Sequence, residues 1–199
     1  MESKDVDLQL IERIKNGDQA AFGLLLGKYQ KRAYYFCLHL VSQPEDAKDL
    51  AQEGFIRVFK NIHTFRGIAS FQTWFYQILL NLCRSYHRHH YLVNRFTFNF
   101  SQVAGEDEDQ ERTLENSIPD PSSEGDPQRL IDNGDLKRLM DKALAALPRQ
   151  QKEIFILKHF EELKIGEISG ITGLAEGTIK THLFRAVQKL QAALKEFKV

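Results

Sequence analysis

The chain has 199 residues, an ordinary apolar fraction and equal numbers of acidic and basic side chains, 27 of each, so its formal net charge is zero. That length allows one medium domain or two small ones. Only Cys37 and Cys83 are present, which excludes a disulfide framework and fits a reducing cytoplasm. The N-terminal MESKDVDLQL has no basic-then-apolar signal pattern, and no apolar run approaches a membrane span. A cytoplasmic protein without membrane insertion is expected.

The first predicted helix carries a short stripe of Leu10, Ile11 and Ile14 and ends at Asn16-Gly17. Asp18 is a good N-cap for the next, with Ala21, Phe22, Leu25, Tyr29 and Ala33 on its apolar side. SQPED at 42–46 reads as a helix start, with a capping hydroxyl on Ser42, Pro44 in the first turn and acids at the positive end of the dipole. Ala47, Leu50, Ala51, Phe55, Val58 and Phe59 then recur at steps of three and four, which predicts an amphipathic helix over 45–60. Its outer face holds Asp49, Gln52, Glu53, Arg57 and Lys60. After a loop at Arg66-Gly67, Ser70 can cap a helix over 71–90 whose spine is Phe71, Trp74, Phe75, Ile78 and Leu82. Of the three aromatic residues, at least two are expected in the core.

Residues 93–136 carry 3 Lys/Arg and 11 Asp/Glu. With GEDEDQE and IPDPSSEGDP, the stretch 99–127 is too polar to offset its ordering entropy and reads as a flexible linker. Phe96, Phe98 and Phe100 alternate just before it, as a short extended segment or as a tail packed on the first domain. The flanking blocks are mildly basic, 12 bases against 9 acids over 1–92 and 12 against 7 over 137–199. This suits a polyanionic partner as well as it suits ordinary solvated surfaces. Helical periodicity resumes with Leu136, Leu139, Met140, Ala143, Leu144 and Leu147, and Pro148 opens a helix bearing Ile154, Phe155, Leu157 and Phe160. No strand alternation or internal repeat is visible. The expected class is all-α: two small helical domains, 1–95 and 132–199, joined by a flexible acidic linker over 96–131.

The segment KIGEISGITGLAEGTIKTHLFRAVQKL, 164–190, has helix-turn-helix spacing. A short helix ends near Ile171, Gly173 sits where a left-handed turn is needed, and a long helix begins near Glu176. Burying Ile179, Leu183, Ala186, Val187 and Leu190 would leave Thr178, Lys180, Thr181, His182, Arg185 and Lys189 facing outward. Hydrogen-bonding and cationic groups at the N-terminal end of such a helix are what a major-groove reader uses. Cys83 and His87 share a helix face, with His89 and His90 beside them. Cys37 is the only other thiolate, so a four-ligand zinc site is not expected. The histidines are expected to add to a DNA-facing surface instead. No phosphate-cradling glycine loop or catalytic triad is present. We expect no catalytic residue, metal or cofactor.

Both blocks resemble the extracytoplasmic-function (group IV) sigma factors of bacterial RNA polymerase. The resemblance is carried in order by IERIKNGDQAAFGLLLGKYQKRAYYFC, EDAKDLAQEGFIRVFKNIHTFRG, ASFQTWFYQILLNLCRSYHR and LAALPRQQKEIFILKHFEELKIGEISGITGLAEGTIKTHLFRAVQKL, the intervening linker being unmatched. It implies that the helix-turn-helix reads an upstream (−35) promoter element through Lys180, Thr181, Phe184 and Arg185, with His182 where a basic residue is frequent. It implies that the first domain holds the opened downstream (−10) element through Trp74, Tyr76, Gln77, Asn81, Arg84 and Arg88. The loop over 62–70 would capture a flipped base, and Asn81 matches the position of a base-reading asparagine. Asp49, Gln52, Glu53 and Arg57 would dock on the coiled coil of the largest subunit. The implied partners are core RNA polymerase (beta and beta-prime subunits), promoter DNA and an anti-sigma factor. The acidic linker would suit a duct in polymerase that otherwise takes RNA. A response-regulator-like activator would need an α/β receiver, and 1–92 shows no buried strands. A protein-interaction adaptor would use the basic helix on an acidic partner.

Overall fold

The computed structural model describes the backbone of residues 2–103 and 133–195, and side chains over 5–93 and 138–195. The described residues are helical, without strands. In chain order the helices are α1 (Glu2–Lys15), α2 (Gln19–Val41), α3 (Pro44–Asn61), α4 (Phe71–Val103), α5 (Asn133–Ala145), α6 (Arg149–His159), α7 (Ile165–Thr172) and α8 (Glu176–Lys195). A 3-10 turn, Ile62–Thr64, follows α3. None of the described helices is long and apolar enough to cross a membrane.

Local chemistry accounts for the boundaries. Gly17 takes φ +89° at the end of α1, and the Asp18 carboxylate accepts the Ala21 N–H at 3.1 Å to cap the start of α2. The Arg13 guanidinium, 2.7 Å from Asp18, holds that carboxyl below its ordinary value. Ser42 does not cap α3 as expected. It closes α2 in the left-handed region (φ 63°), and Gln43 precedes α3 without a side-chain cap. Pro44 in the first turn and Glu45 and Asp46 at the dipole's positive end supply the start signal. Ser70 does act as anticipated, its hydroxyl accepting the Thr73 N–H at 3.1 Å.

The first core lies where α4 crosses α2 and α3. Phe71 and Phe75 stack at 5.7 Å, Tyr29 meets Phe71 edge-on at 5.2 Å, and Phe36 lies 4.9 Å from Tyr76. Gly54 lets α3 approach α4, because a Cβ there would run into the Leu79 side chain. The Tyr86 hydroxyl donates to Asp46 at 2.6 Å and ties α4 to the start of α3; burial and this bond push its pKa up to about 12. The α4 backbone continues as helix to Val103, so Phe96, Phe98 and Phe100 lie on helix and not in an extended segment. The rest of the expected linker, from residue 104, lies outside the described residues.

The C-terminal helices do not stand apart. Ile154, Ile156, Leu157, Leu163, Ile168, Ile171 and Ile179 join the cluster formed by α1 to α4. A smaller cluster of Ala143, Leu144, Leu147, Ala186 and Leu190 fastens α5 to α8. Of the apolar residues expected in α6, Ile154 and Leu157 are buried but Phe160 is exposed. Gln151, Lys152 and Glu153, which the apolar pattern did not mark, are buried.

Candidate nucleic-acid interface

The helix-turn-helix is built from α7, a turn and α8. Gly173 ends α7 at φ 74° and donates its N–H to Ser169 O at 2.9 Å. The Ser169 hydroxyl donates across the turn to Leu174 O at 2.7 Å, so the small residue at the crossing also satisfies a turn carbonyl. At the other end, Glu167 accepts the Lys164 N–H at 2.9 Å. These bonds fix the angle at which α8 leaves the turn. Ile179, Ala186 and Leu190 are buried, and Leu183 and Val187 are half-buried. Thr178, Lys180, Thr181, Phe184, Arg185 and Lys189 are exposed. Phe184 is the outlier in physical terms, a large apolar ring 64% exposed among cations. Thr181 returns its hydroxyl proton to Gly177 O at 3.0 Å, leaving its lone pairs outward. His182 departs from the expectation: it is half-buried, and its Nδ1 is enclosed without a hydrogen-bond partner among the described residues. Its position on the helix turns it toward the packed side.

The second candidate face, on α4, is more divided. Gln77, Asn81 and Arg88 are exposed and Trp74 is half-buried, its ring 5.2 Å from Phe65. Tyr76 is not on that face. It is fully buried, because helices pack on more than one side of α4 and widen its apolar sector to include Tyr76, Leu80 and Cys83. Arg84 is half-buried, and its guanidinium grips Glu153 of α6, Nη2 at 2.7 Å and Nε at 3.2 Å from Oε2. Phe71 and Phe75 are core, as expected for two of the three aromatics. His87 faces the Leu40 carbonyl at 3.2 Å, so it is a packing residue, whereas His89 and His90 are exposed. Burial holds His87 below its ordinary pKa. Asn81, Arg84, Ser85, His87, Arg88 and Tyr91 of α4, with Arg149 of α6, surround an open cavity of about 740 Å³.

On α3, Asp49, Gln52 and Arg57 are exposed and Glu53 is half-buried, with Arg57 Nε 2.8 Å from Glu53. Beside them a groove of about 1030 Å³ runs between α2 and α3, lined by Phe22, Leu26, Phe55, Ile56 and Phe59 with Gln52 on its wall. Phe59 is 53% and Ile56 45% exposed. Periodicity assigns Phe59 to the core stripe, but that stripe is wider than the core. An exposed apolar strip beside the polar one was the overlooked signal.

Cys37 and Cys83 are buried. The neighbouring Cys83 thiol, with burial, pushes the Cys37 thiol up, the opposite of what a metal thiolate needs. No group of three or more His, Cys, Asp or Glu side chains that could hold a metal ion occurs among the described residues.

The chain matches the sigma-70 region 2 family over residues 25–91 and the sigma-70 region 4 family over 137–190. It is 28% identical to the RNA polymerase sigma-H factor of Pseudomonas aeruginosa over 194 residues, 98% of this chain and 96% of that one. It is 29% identical to the ECF RNA polymerase sigma factor SigW of Bacillus subtilis over 191 residues, 94% and 95% of the two chains. In fold it is similar to CnrH, solved in complex with the cytosolic domain of CnrY, with a TM-score of 0.67 over 96% of this chain and 98% of that one at 19% identity. It is also similar to the sigma factor RpoE of Bartonella quintana, solved in complex with the anti-sigma factor NepR, with a TM-score of 0.60 over 87% and 96% at 22% identity. The helix-turn-helix and the helices before it are therefore parts of one known design, and the chain belongs to the sigma-70 family, as an ECF sigma factor that serves transcription initiation and not catalysis.

Proposed function

We propose that this protein binds core RNA polymerase in the cytoplasm, directs it to specific promoters and promotes their opening. The observation that carries the reading is the outer face of α8, where Thr178, Lys180, Thr181, Phe184 and Arg185 stand exposed on a helix whose angle is fixed by Gly173 and Ser169. Cations and hydrogen-bonding groups at that end of a recognition helix fit base edges in the major groove, and Lys189 a flanking phosphate. Asn81, Gln77, Trp74, Arg84 and Arg88 on α4 offer edge donors, a stacking ring and cations, which is what an unpaired strand requires. The groove between α2 and α3 supports a polymerase dock, since Phe22, Leu26, Ile56 and Phe59 offer apolar anchors beside the polar Asp49, Gln52, Glu53 and Arg57. The sequence blocks 1–95 and 132–199 are the two functional domains in this reading.

Control by an anti-sigma factor belongs to the same proposal. Its support is that two fold neighbours were solved with such partners or with a cytosolic protein domain bound. Run-off transcription with purified core polymerase tests the proposal. Addition of the protein yields discrete transcripts from a subset of genomic promoters; no transcript at any promoter, with no co-purification with core, overturns it.

A further inference from the structure

The open cavity of about 740 Å³ between α4 and α6 concentrates positive charge. Asn81, Arg84, Arg88 and Tyr91 line it from α4, at steps of three and four on one side of the helix. Arg149, the first residue of α6, lines it from the other wall. Glu153, only 3% exposed, joins the two walls. One of its oxygens accepts the Arg149 Nε–H at 3.1 Å and the other the Arg84 Nη2–H at 2.7 Å. Among the described residues, Nη1 of Arg84 and both Nη atoms of Arg149 then have no hydrogen-bond partner. Arg88 is bonded there only to the Ser85 hydroxyl, at 3.2 Å. A buried carboxylate that fixes two guanidiniums, while their remaining N–H groups stay unused, preorganises them for an anion. The first turn of α6 has no side-chain cap, so its backbone N–H groups add to the positive field. His87 on the cavity wall lies in that field: burial holds its pKa down, and the nearby Arg149 and Lys152 push the same way.

We propose that this cavity is a binding site for a nucleoside diphosphate, its phosphates held by Arg84, Arg88 and Arg149 and its base stacked on Tyr91. The three guanidiniums offer the paired donors that phosphate oxygens accept. The stripe from Asn81 to Tyr91 runs along about 15 Å of helix, which an extended nucleoside diphosphate spans and a single inorganic phosphate does not. Tyr91 stands at one end with its ring 64% exposed, a free face for a base. The Asn81 amide at the other end can donate to the terminal phosphate. The site itself does not depend on the promoter-binding reading. That reading adds one consequence: Arg84 and Arg88 cannot serve the nucleotide and an opened strand at once, so the two ligands compete.

Isothermal titration calorimetry of the full chain with ADP tests the site, with pyrophosphate and adenosine as the two halves of the ligand. ADP binds one to one, pyrophosphate binds more weakly, and adenosine gives no heat. Arg149→Ala weakens ADP and pyrophosphate alike by about tenfold or more, the loss of one charge-assisted contact. Tyr91→Ala weakens ADP by about tenfold, the loss of one stacked base, and leaves pyrophosphate unchanged. Both side chains are exposed, and thermal melting checks that each variant is folded. No heat with ADP, or an unchanged affinity in folded Arg149→Ala protein, overturns the site. Equal affinities for ADP and pyrophosphate, with no effect of Tyr91→Ala, overturn the nucleotide as its ligand. Saturating ADP also weakens binding of a fluorescent single-stranded oligodeoxynucleotide that carries the downstream element. If ADP binds as described and this competition fails, Arg84 and Arg88 are overturned as strand contacts and the nucleotide site stands.

Discussion

The two candidate DNA faces differ in how much of each is available. On α8, six of the seven expected residues are exposed, and only His182 turns inward. On α4, Tyr76 is core and Arg84 is already engaged by a carboxylate, leaving Gln77, Asn81 and Arg88 fully outward. The difference follows from position in the fold. Both helices pack against several others, α8 against α5, α6 and α7, and α4, the central beam, against α1, α2, α3 and α7. The buried side of α8 is one stripe through Ile179, Ala186 and Leu190, whereas that of α4 widens to take in Tyr76, Leu80 and Cys83. A narrow buried stripe leaves the opposite face ready-made; a wide one leaves a face shaped by whatever else leans on the helix.

The strongest way to break the comparison is to damage the beam without touching α8. Gly54→Val puts a branched side chain against Leu79, which is fully buried and has little room to give. A loss of about 2–3 kcal/mol is expected from overpacking, visible as a lower midpoint in thermal melting, together with loss of core-polymerase binding; an unchanged midpoint would show that α3 and α4 can slide apart freely.

On the other side, Arg185→Ala removes an exposed cation and no packing. Binding of duplex DNA with the upstream element weakens by about 1–3 kcal/mol if Arg185 reads a base, while core-polymerase binding stays intact. Loss of core binding instead would count against the assignment. Next in size, Gly173→Ala forces a Cβ into the left-handed region, φ 74°, at about 1 kcal/mol. The turn, not the reading face, changes, so the expected result is a lower melting midpoint with the same order of preference among upstream sequences.

The smallest effect is on pH. Burial lowers the His87 pKa from 6.5 in the fold. The unfolded chain then binds the proton more readily, so the stability contributed by neutral His87 is present above about pH 6.5 and is lost as pH falls through the lowered value. Between pH 7.5 and 5.5, His87→Gln narrows the drop in melting midpoint relative to the parent; an identical drop in both would place the titrating group elsewhere.

How much of this the sequence showed follows the same division. The helices α3 and α8 and the turn at Gly173 were legible, because one apolar stripe each, one positive-φ glycine and, for α3, Pro44 with the acids of the first turn define them. Ser42 was misread, since a hydroxyl ahead of a proline marks the next helix unless the previous one runs up to it, and α2 does. Tyr76 is misplaced, and Glu153 goes unmarked, for a different reason. Their burial comes from helices far along the chain, and no local pattern records that contact. Phe59 was assigned to a core it only borders, since periodicity gives the side of a helix but not the width of what covers it. The roles proposed for the faces come from the resemblance to sigma factors, not from the physics of any single helix.

The central claim is a division of labour, with α8 reading closed duplex and α4 holding opened strand. Permanganate footprinting of promoter complexes formed with core polymerase and Asn81→Ala protein tests it most directly. The account predicts that thymines of the downstream element lose reactivity while protection of the upstream element is kept. Loss of upstream protection with normal opening would contradict it.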